Sequence, residues 1–132
     1  MAVAIVVVDQ NGSTSSKGSA RGHELFMDRP AAKGGTDEGM MGGEAMLTGL
    51  GGCFMSNLLA AANARNIELS NARADIEGEM ADAPSRFSAI RMTVSAQCSP
   101  QEELAKLVTI AERGCIAANT LRAAVDLSIK VI

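Results

Sequence analysis

The sequence is poor in the side chains that much binding chemistry relies on. It has three Phe and no Tyr or Trp in 132 residues. Without aromatic platforms there is little for nucleic-acid bases to stack on. Positive charge is not in excess either: 12 Lys and Arg stand against 15 Asp and Glu, a formal net charge of −3. That balance offers no attraction to nucleic acid or to an anionic membrane, so neither is expected as a partner. His23 is the only histidine. A mixed Cys/His zinc site is therefore short of ligands, and the cysteine spacings match no zinc motif, so no metal is expected. The three cysteines, Cys53, Cys98 and Cys115, cannot all pair within one chain. The apolar N-terminal run MAVAIVVVDQ has no basic segment and no cleavage site, and reads as a strand rather than a signal peptide. A cytoplasmic protein is expected. In a reducing compartment, reactive thiols replace structural disulfides as the interesting use of cysteine.

What is plentiful is apolar and small. Hydrophobic residues make up 47% of the chain, with eight Met and 13 Gly. This suffices for the core of one domain, residues 1–132. The most apolar stretch is GGEAMLTGLGGCFMSNLLAAANAR, Gly42 to Arg65, which carries no charge from Ala45 to Ala62. Ala, Leu and Met favour a helix. Apolar around most of its circumference, that helix must be buried in a core or a membrane. Three internal glycines, Ser56 and Asn57 argue against a bilayer span, which needs ~20 apolar residues, and strands elsewhere can cover a core helix. Small residues recur at Ala45, Gly49, Gly52, Cys53, Ser56 and Ala60, a pattern that lets another helix come close. Glycine inside a helix costs about 1 kcal/mol against alanine, so Gly49, Gly51 and Gly52 call for close contacts in return. Cys53 sits where this backbone is barest. Taken alone, it reads as an inert buried thiol.

The remaining elements follow in order. Ala2 to Val8 is a β-branched strand ended at Asn11-Gly12, a tight-turn signal. Ser13 to Ala20 is a polar returning strand, and His23 to Met27 a third, with His23 solvated. Asp28-Arg29-Pro30 breaks it. The segment AAKGGTDEGMMGG, Ala31 to Gly43, lacks the Gly-Lys-Ser/Thr of a phosphate loop, and Asp37 and Glu38 would repel phosphate, so a mobile loop is expected. Met40 and Met41 can supply adaptable apolar contacts beside a site. Asn66 to Met80 is a strand with an irregularity near Ser70-Asn71. Phe87 to Gln97 is a clear strand with Ile90, Met92, Val94 and Ala96 on one face. Ser99 to Glu102 reads as a capping box before a helix, Pro100 to Arg113, with Gly114 as its C-terminal cap. Cys115 then sits at a helix break, near amide donors that favour a thiolate there. Val125 to Ile132 closes the chain as a strand, with Val125, Leu127, Ile129 and Val131 inward and Asp126, Ser128 and Lys130 outward. The order predicts an α+β fold, a mostly antiparallel sheet packed on a long central helix. One sheet covers only one side of that helix, so a second copy of the chain is expected on the other.

Gly34-Gly35-Thr36-Asp37, Glu44-Ala45-Met46-Leu47, Gly51-Gly52-Cys53, Ala111-Glu112-Arg113-Gly114-Cys115 and Asn119-Thr120-Leu121 together resemble the OsmC family, which includes the organic hydroperoxide resistance proteins. The element order fits over nearly the whole chain. The specific part is the pair of cysteines in these two contexts, 62 residues apart. The resemblance implies an intertwined homodimer with two central helices side by side. It implies a thiol peroxidase that prefers organic hydroperoxides, with Cys53 peroxidatic and Cys115 resolving. Such an enzyme needs no metal or organic cofactor. An external dithiol, commonly a lipoyl-bearing protein in the family, reduces the disulfide.

The family also sets an arginine and a glutamate around its reactive cysteine. Glu44 matches a glutamate found at this helix start in many members. The family spacing puts Lys33 where the arginine belongs, with Arg29 and Arg21 nearby and Arg29 the better placed. Arg29, Lys33, Met40 and Met41 are therefore the expected binding residues, and Cys53, Cys115 and Glu44 the expected catalytic ones. Gly43 replaces the usual proline before the glutamate, and Cys98 has no family role. Glu44 lies nine residues before Cys53, about 900° of helical rotation and ~13 Å of rise, on the opposite helix face. Either the helix starts after Glu44 or a partner chain supplies it; the second is expected. The competing function is a non-catalytic dimer that binds a small apolar ligand in a Met-lined pocket between subunits.

Overall fold

The computed structural model describes residues 3–124 and 126–132. The chain forms two compact units, Met1–Met46 and Leu47–Ile132. Among the described residues there are two three-stranded sheets and three α-helices.

The first unit holds β1 (Val7–Gln10), β2 (Ser16–Ala20) and β3 (His23–Met27), antiparallel and paired in that order. Arg21 and Gly22 make the β2–β3 turn with φ of 51° and 84°. Two successive positive φ values suit the right-handed twist of a hairpin. The first strand begins later than its β-branched run suggests. The register pairs Val7 with Ser19, one residue from the end of β2, so Val3, Ile5 and Val6 have almost no strand left to pair with. Its expected start at Ala2 lies outside the described residues. His23 is exposed at the start of β3, as its sequence context suggests.

The glycine-rich segment after β3 is organised by one buried carboxylate. Asp28 accepts the Arg29 N–H (2.7 Å), the Thr36 hydroxyl (2.7 Å), and the N–H groups of Thr36 and Glu38 (both 3.2 Å). A 3-10 turn, Ala31–Lys33, ends at Gly34 with φ 86°. Gly35 then passes so close to Arg29 that a Cβ would lie 1.9 Å from the Arg29 carbonyl oxygen. The segment expected as a mobile loop is thus a loop tied back on Asp28. The Thr36 hydroxyl, outweighing the opposing effect of burial, holds the Asp28 carboxyl well below the usual carboxylate range, with further help from the Glu38 and Arg29 amides and the Thr14 hydroxyl.

Helix α1 (Gly42–Ala64) runs from the first unit into the second. It is long and apolar enough to cross a membrane, with a mean hydropathy of 1.4 over an 18-residue window. Its stripe of Leu50, Phe54, Leu58, Ala61 and Ala62 is nonetheless buried by protein. The four-residue spacing puts these side chains on one face. They pack with Ile90, Met92 and Val94 of β5 (Arg86–Ser99) and with Leu104, Leu107, Val108 and Ala111 of α2 (Leu104–Gly114). β5 lies between β4 (Glu68–Ala81) and β6 (Asp126–Val131). Alternation in β5 is as the sequence reads: Ile90, Met92 and Val94 are buried while Arg91 and Gln97 are exposed. The irregularity in β4 is a register shift between Ser70 and Arg73, with Asn71 at φ 52°.

Several expectations need correction or refinement. The strands form two separate sheets rather than one. The β5–β6 pair is parallel, because α2 and α3 (Ile116–Arg122) carry the chain back to the start of the sheet before β6 begins. The Ser99 capping box does not form: Ser99 is the last residue of β5, and a 3-10 turn, Gln101–Glu103, precedes α2 with no side-chain cap. Gln101 instead accepts the Cys98 N–H at 3.0 Å. Gly114 is the last residue of α2 rather than its left-handed cap, since the extended backbone of Cys115 (φ −79°, ψ 111°) already ends the helix. In β6, Leu127 and Ile129 are half-buried, but Val131, the last residue of this edge strand, is exposed. The expected inward Val125 and outward Asp126 side chain lie outside the described residues. Of the three helix glycines, only Gly51 has a contact that explains it: a Cβ there would lie 2.7 Å from Ile76 Cδ1, while Gly49 and Gly52 have nothing within 4 Å.

Asp28 gives a stability prediction with a defined sign. Its carboxyl pKa is depressed on folding, so its contribution is complete above the unfolded value of roughly 3.9 and is lost as pH falls below it. Asp28→Ala is expected to lower the thermal midpoint at pH 7, and Asp28→Asn to lower it less. The gap between wild type and Asp28→Asn should shrink below about pH 4, read by thermal melts across pH.

A paired-thiol candidate active site

The second unit brings two of its cysteines together. Cys53 lies on α1, half-buried. Cys115 is fully buried between α2 and α3. Its extended backbone separates the two helices, so the first N–H groups of α3 have no helical carbonyl to bind. Sulfur takes their place. The Ile116 and Ala117 N–H groups lie near enough to Cys53 Sγ to favour its ionised form. The Ala118 N–H donates to Cys115 Sγ at 3.4 Å. The two thiols are also within hydrogen-bonding reach of each other. All three cysteines are free.

These contacts split the two thiols electrostatically. Burial pushes Cys53 up, but the Ala117 amide, the Cys115 thiol and the Ile116 amide together bring it below the ordinary thiol value. Burial pushes Cys115 up, the Ala118 and Ala117 amides oppose that, and the neighbouring Cys53 sulfur adds to the rise. Cys53 is therefore the more readily ionised sulfur, and Cys115 the one that holds its proton beside it. This corrects the sequence-based expectation of a thiolate on Cys115: the amides at the helix break do favour one there, but burial outweighs them. A thiolate is the nucleophilic form of cysteine, and a protonated thiol beside it is poised to condense with its oxidised product. Cys98 is different. It is buried on β5, and burial followed by Glu103 and Glu102 raises its pKa. Such a thiol is inert.

The other candidate residues belong to the first unit. Arg29, Lys33 and Met41 line one open cleft of about 400 Å³ with Thr14, Ser16 and Asp28. Lys33 Nζ approaches Met41 Sδ at 4.0 Å. Met40 is not among the lining residues. It bridges to Met27, and its carbonyl accepts the Asp28 N–H at 3.1 Å. Glu44 accepts the Met41 N–H at 2.8 Å, the glutamate half of a capping box at the start of α1. Glu44 thus lies within α1, and the alternative in which the helix starts after it does not hold. Among the described residues no three His, Cys, Asp or Glu side chains cluster as metal ligands.

Sequence reasoning missed two residues. Asp28 looked like a strand breaker, and nothing local announces that Thr36 and Glu38 return to it. Asn57 looked like a stray polar residue on an apolar helix. Its side chain donates to the Ala111 carbonyl of α2 at 3.4 Å, a partner 54 residues away.

No curated protein matches the sequence. Among solved structures, the OsmC-like protein of Mycoplasma pneumoniae is 18% identical, with a TM-score of 0.84 over 99% of this chain and 96% of that one. An organic hydroperoxide resistance protein from Legionella pneumophila is 22% identical, with a TM-score of 0.68 over 99% and 97%. The organic hydroperoxide resistance protein OhrB of Bacillus subtilis is 20% identical, with a TM-score of 0.67 over 98% of each chain. The fold is thus that of these proteins. The family model described as OsmC-like protein matches residues 35–130, a span that holds α1, all but the last residue of the second sheet and both clustered cysteines, and the chain belongs to the OsmC-like family.

Proposed function

We propose that this protein is a thiol peroxidase acting on organic hydroperoxides through Cys53. The observation that carries the reading is the unequal thiol pair, one sulfur favoured as thiolate by hydrogen bonds and the other kept protonated beside it. The Cys53 thiolate attacks the terminal peroxide oxygen. The O–O bond breaks, Cys53 becomes a sulfenic acid, and the alkoxide leaves as an alcohol after taking up a proton. The Cys115 thiol then attacks the sulfenic sulfur, forming the disulfide and releasing water. An external dithiol, such as a lipoyl-bearing protein, returns both cysteines to thiols and is itself oxidised to a disulfide.

Stopped-flow oxidation of the reduced protein by organic hydroperoxides tests this directly. Cys53→Ser should abolish the reaction. Cys115→Ser should retain one oxidation and then pass to sulfinic acid at Cys53. Peptide mapping should find a Cys53–Cys115 disulfide; a main disulfide containing Cys98 overturns the assignment. The pH profile has a defined direction as well. Reactivity of Cys53 should persist below the ordinary thiol range and fall as pH drops through its lowered pKa. Cys115→Ala removes one of the hydrogen bonds that lower it, so the midpoint should move up.

We propose further that the active form is a homodimer. Gly49, Gly52, Ser56 and Ala60 form an exposed strip of small residues along α1, flanked by exposed Met46 and Leu59. This strip would let two α1 helices pack closely. Val7, Val8, Leu25 and Phe26 of the first unit are also exposed and await cover. Sedimentation at micromolar concentration should show two chains. A side chain at position 52 meets nothing within 4 Å inside one chain, so Gly52→Leu should leave each chain folded while weakening the dimer.

In that dimer Glu44 would act in trans, orienting Arg29 or Lys33 toward the thiolate of the other chain. A mixed dimer separates this from simple capping: one chain carries Cys53→Ser, the other Glu44→Ala. The surviving thiol keeps the other chain's glutamate and should react at near wild-type rate per site. A rate as slow as that of the Glu44→Ala homodimer would refute the shared site.

A further inference from the structure

The corner between α2 and α3 exposes carbonyls as well as amides. In an unbroken helix the Cys115 N–H would bind the Ala111 carbonyl four residues back. Here it turns to the Glu112 carbonyl at 3.2 Å, three residues back. The Ala111 carbonyl loses its helical donor, and the Arg113 carbonyl lies beyond the end of the regular ladder. Both find side-chain amides. Asn119 of α3 donates to the Arg113 carbonyl at 3.1 Å, and its backbone N–H returns to the Cys115 carbonyl at 2.9 Å. Arg122 pairs with Glu112 across the same corner. All of these contacts are internal to the α2–α3 segment. The Ala111 carbonyl differs: its donor is Asn57, which comes from α1.

Asn57 stands four residues after Cys53, so the two side chains lie one above the other on the same helix face. Its amide also faces the bare backbone of Gly114, where a Cβ would sit 3.6 Å from Asn57 Nδ2. One side chain therefore ties the helix carrying Cys53 to the last turn before Cys115. We propose that Asn57 is a positioning residue that sets the approach of the Cys53 sulfur to Cys115 and to the amides at the start of α3. It touches neither substrate nor the reacting atoms. Its action passes through the corner: when the tie is cut, the corner can draw back from α1, and Cys53 loses donors and its resolving partner together. The inference rests on the thiol-pair reading above only for its catalytic meaning; the geometry stands without it.

The test uses the full-length protein with the variants Asn57→Leu and Asn57→Asp, both close to asparagine in shape and lacking its N–H donors, and Leu58→Ala as a control that loosens the core without touching the tie. Two readouts need no peroxide. One is the pH midpoint of Cys53 alkylation by iodoacetamide, followed by peptide mass. The other is the rate of Cys53–Cys115 disulfide formation by diamide, which takes up the two electrons and two protons the thiols release. Asn57→Leu should raise the alkylation midpoint and slow closure by roughly two- to tenfold, the range for losing one neutral hydrogen bond. Asn57→Asp should raise the midpoint further, since its charge also opposes a thiolate one turn away, and it carries the test should Asn57→Leu not fold. Leu58→Ala should leave both readouts in place. Wild-type values in the Asn57 variants, or equal shifts in Leu58→Ala, overturn the proposal. If peroxide fails to oxidise wild-type Cys53 while these shifts appear, the peroxidase reading fails and the positioning role stands.

Discussion

The second unit depends on one backbone conformation, the extended Cys115 between two helices. A continuous helix from Leu104 to Arg122 would bury every amide in its own ladder and leave none for a sulfur. By stopping the helix for a single residue, the chain frees donors on one side and acceptors on the other. The donors turn to the thiols, and the acceptors are taken up by Asn57, Asn119 and the Cys115 N–H. The break costs hydrogen bonds within the helix and gives them back at the sulfur pair, so the local structure and the chemistry have the same origin.

The division of labour between the sulfurs follows from burial and donor count. Cys115 is the more enclosed and has the more readily ionised Cys53 sulfur beside it, whose negative charge repels a second, so ionising it is doubly unfavourable. Cys53 is the less enclosed and receives the larger share of donors. The first unit repeats the logic with oxygen in place of sulfur. Asp28 is a buried anion made tolerable by four hydrogen bonds, and the loop takes its shape from satisfying it.

Much of this was legible in the sequence because it is written in short periods. The β5 alternation, the apolar face of α2 and the length of α1 depend on neighbours two to four residues away, and each appears as read. The order of elements and the family resemblance, carried by the contexts of Cys53 and Cys115, also hold. Long-range pairings were not legible. That β6 runs parallel to β5, that Thr36 returns to Asp28 and that Asn57 meets Ala111 all depend on segments brought together only by folding. Ser99 and Gly114 misled for a related reason. Each has the right residue type for a cap, but the last pair of β5 and the extended Cys115 had already fixed where α2 begins and ends.

The hydrogen bonds that favour the Cys53 thiolate come largely from main-chain N–H groups, and that has a bearing on mutational tolerance. Every amino acid except proline carries such a group. Ile116, whose side chain is 77% exposed, and Ala117 can be exchanged for many other residues without deleting a donor to the sulfur. The electrostatics of the site are thus encoded in the course of the chain more than in the identity of its neighbours. Proline at 116 or 117 is the substitution this arrangement cannot absorb.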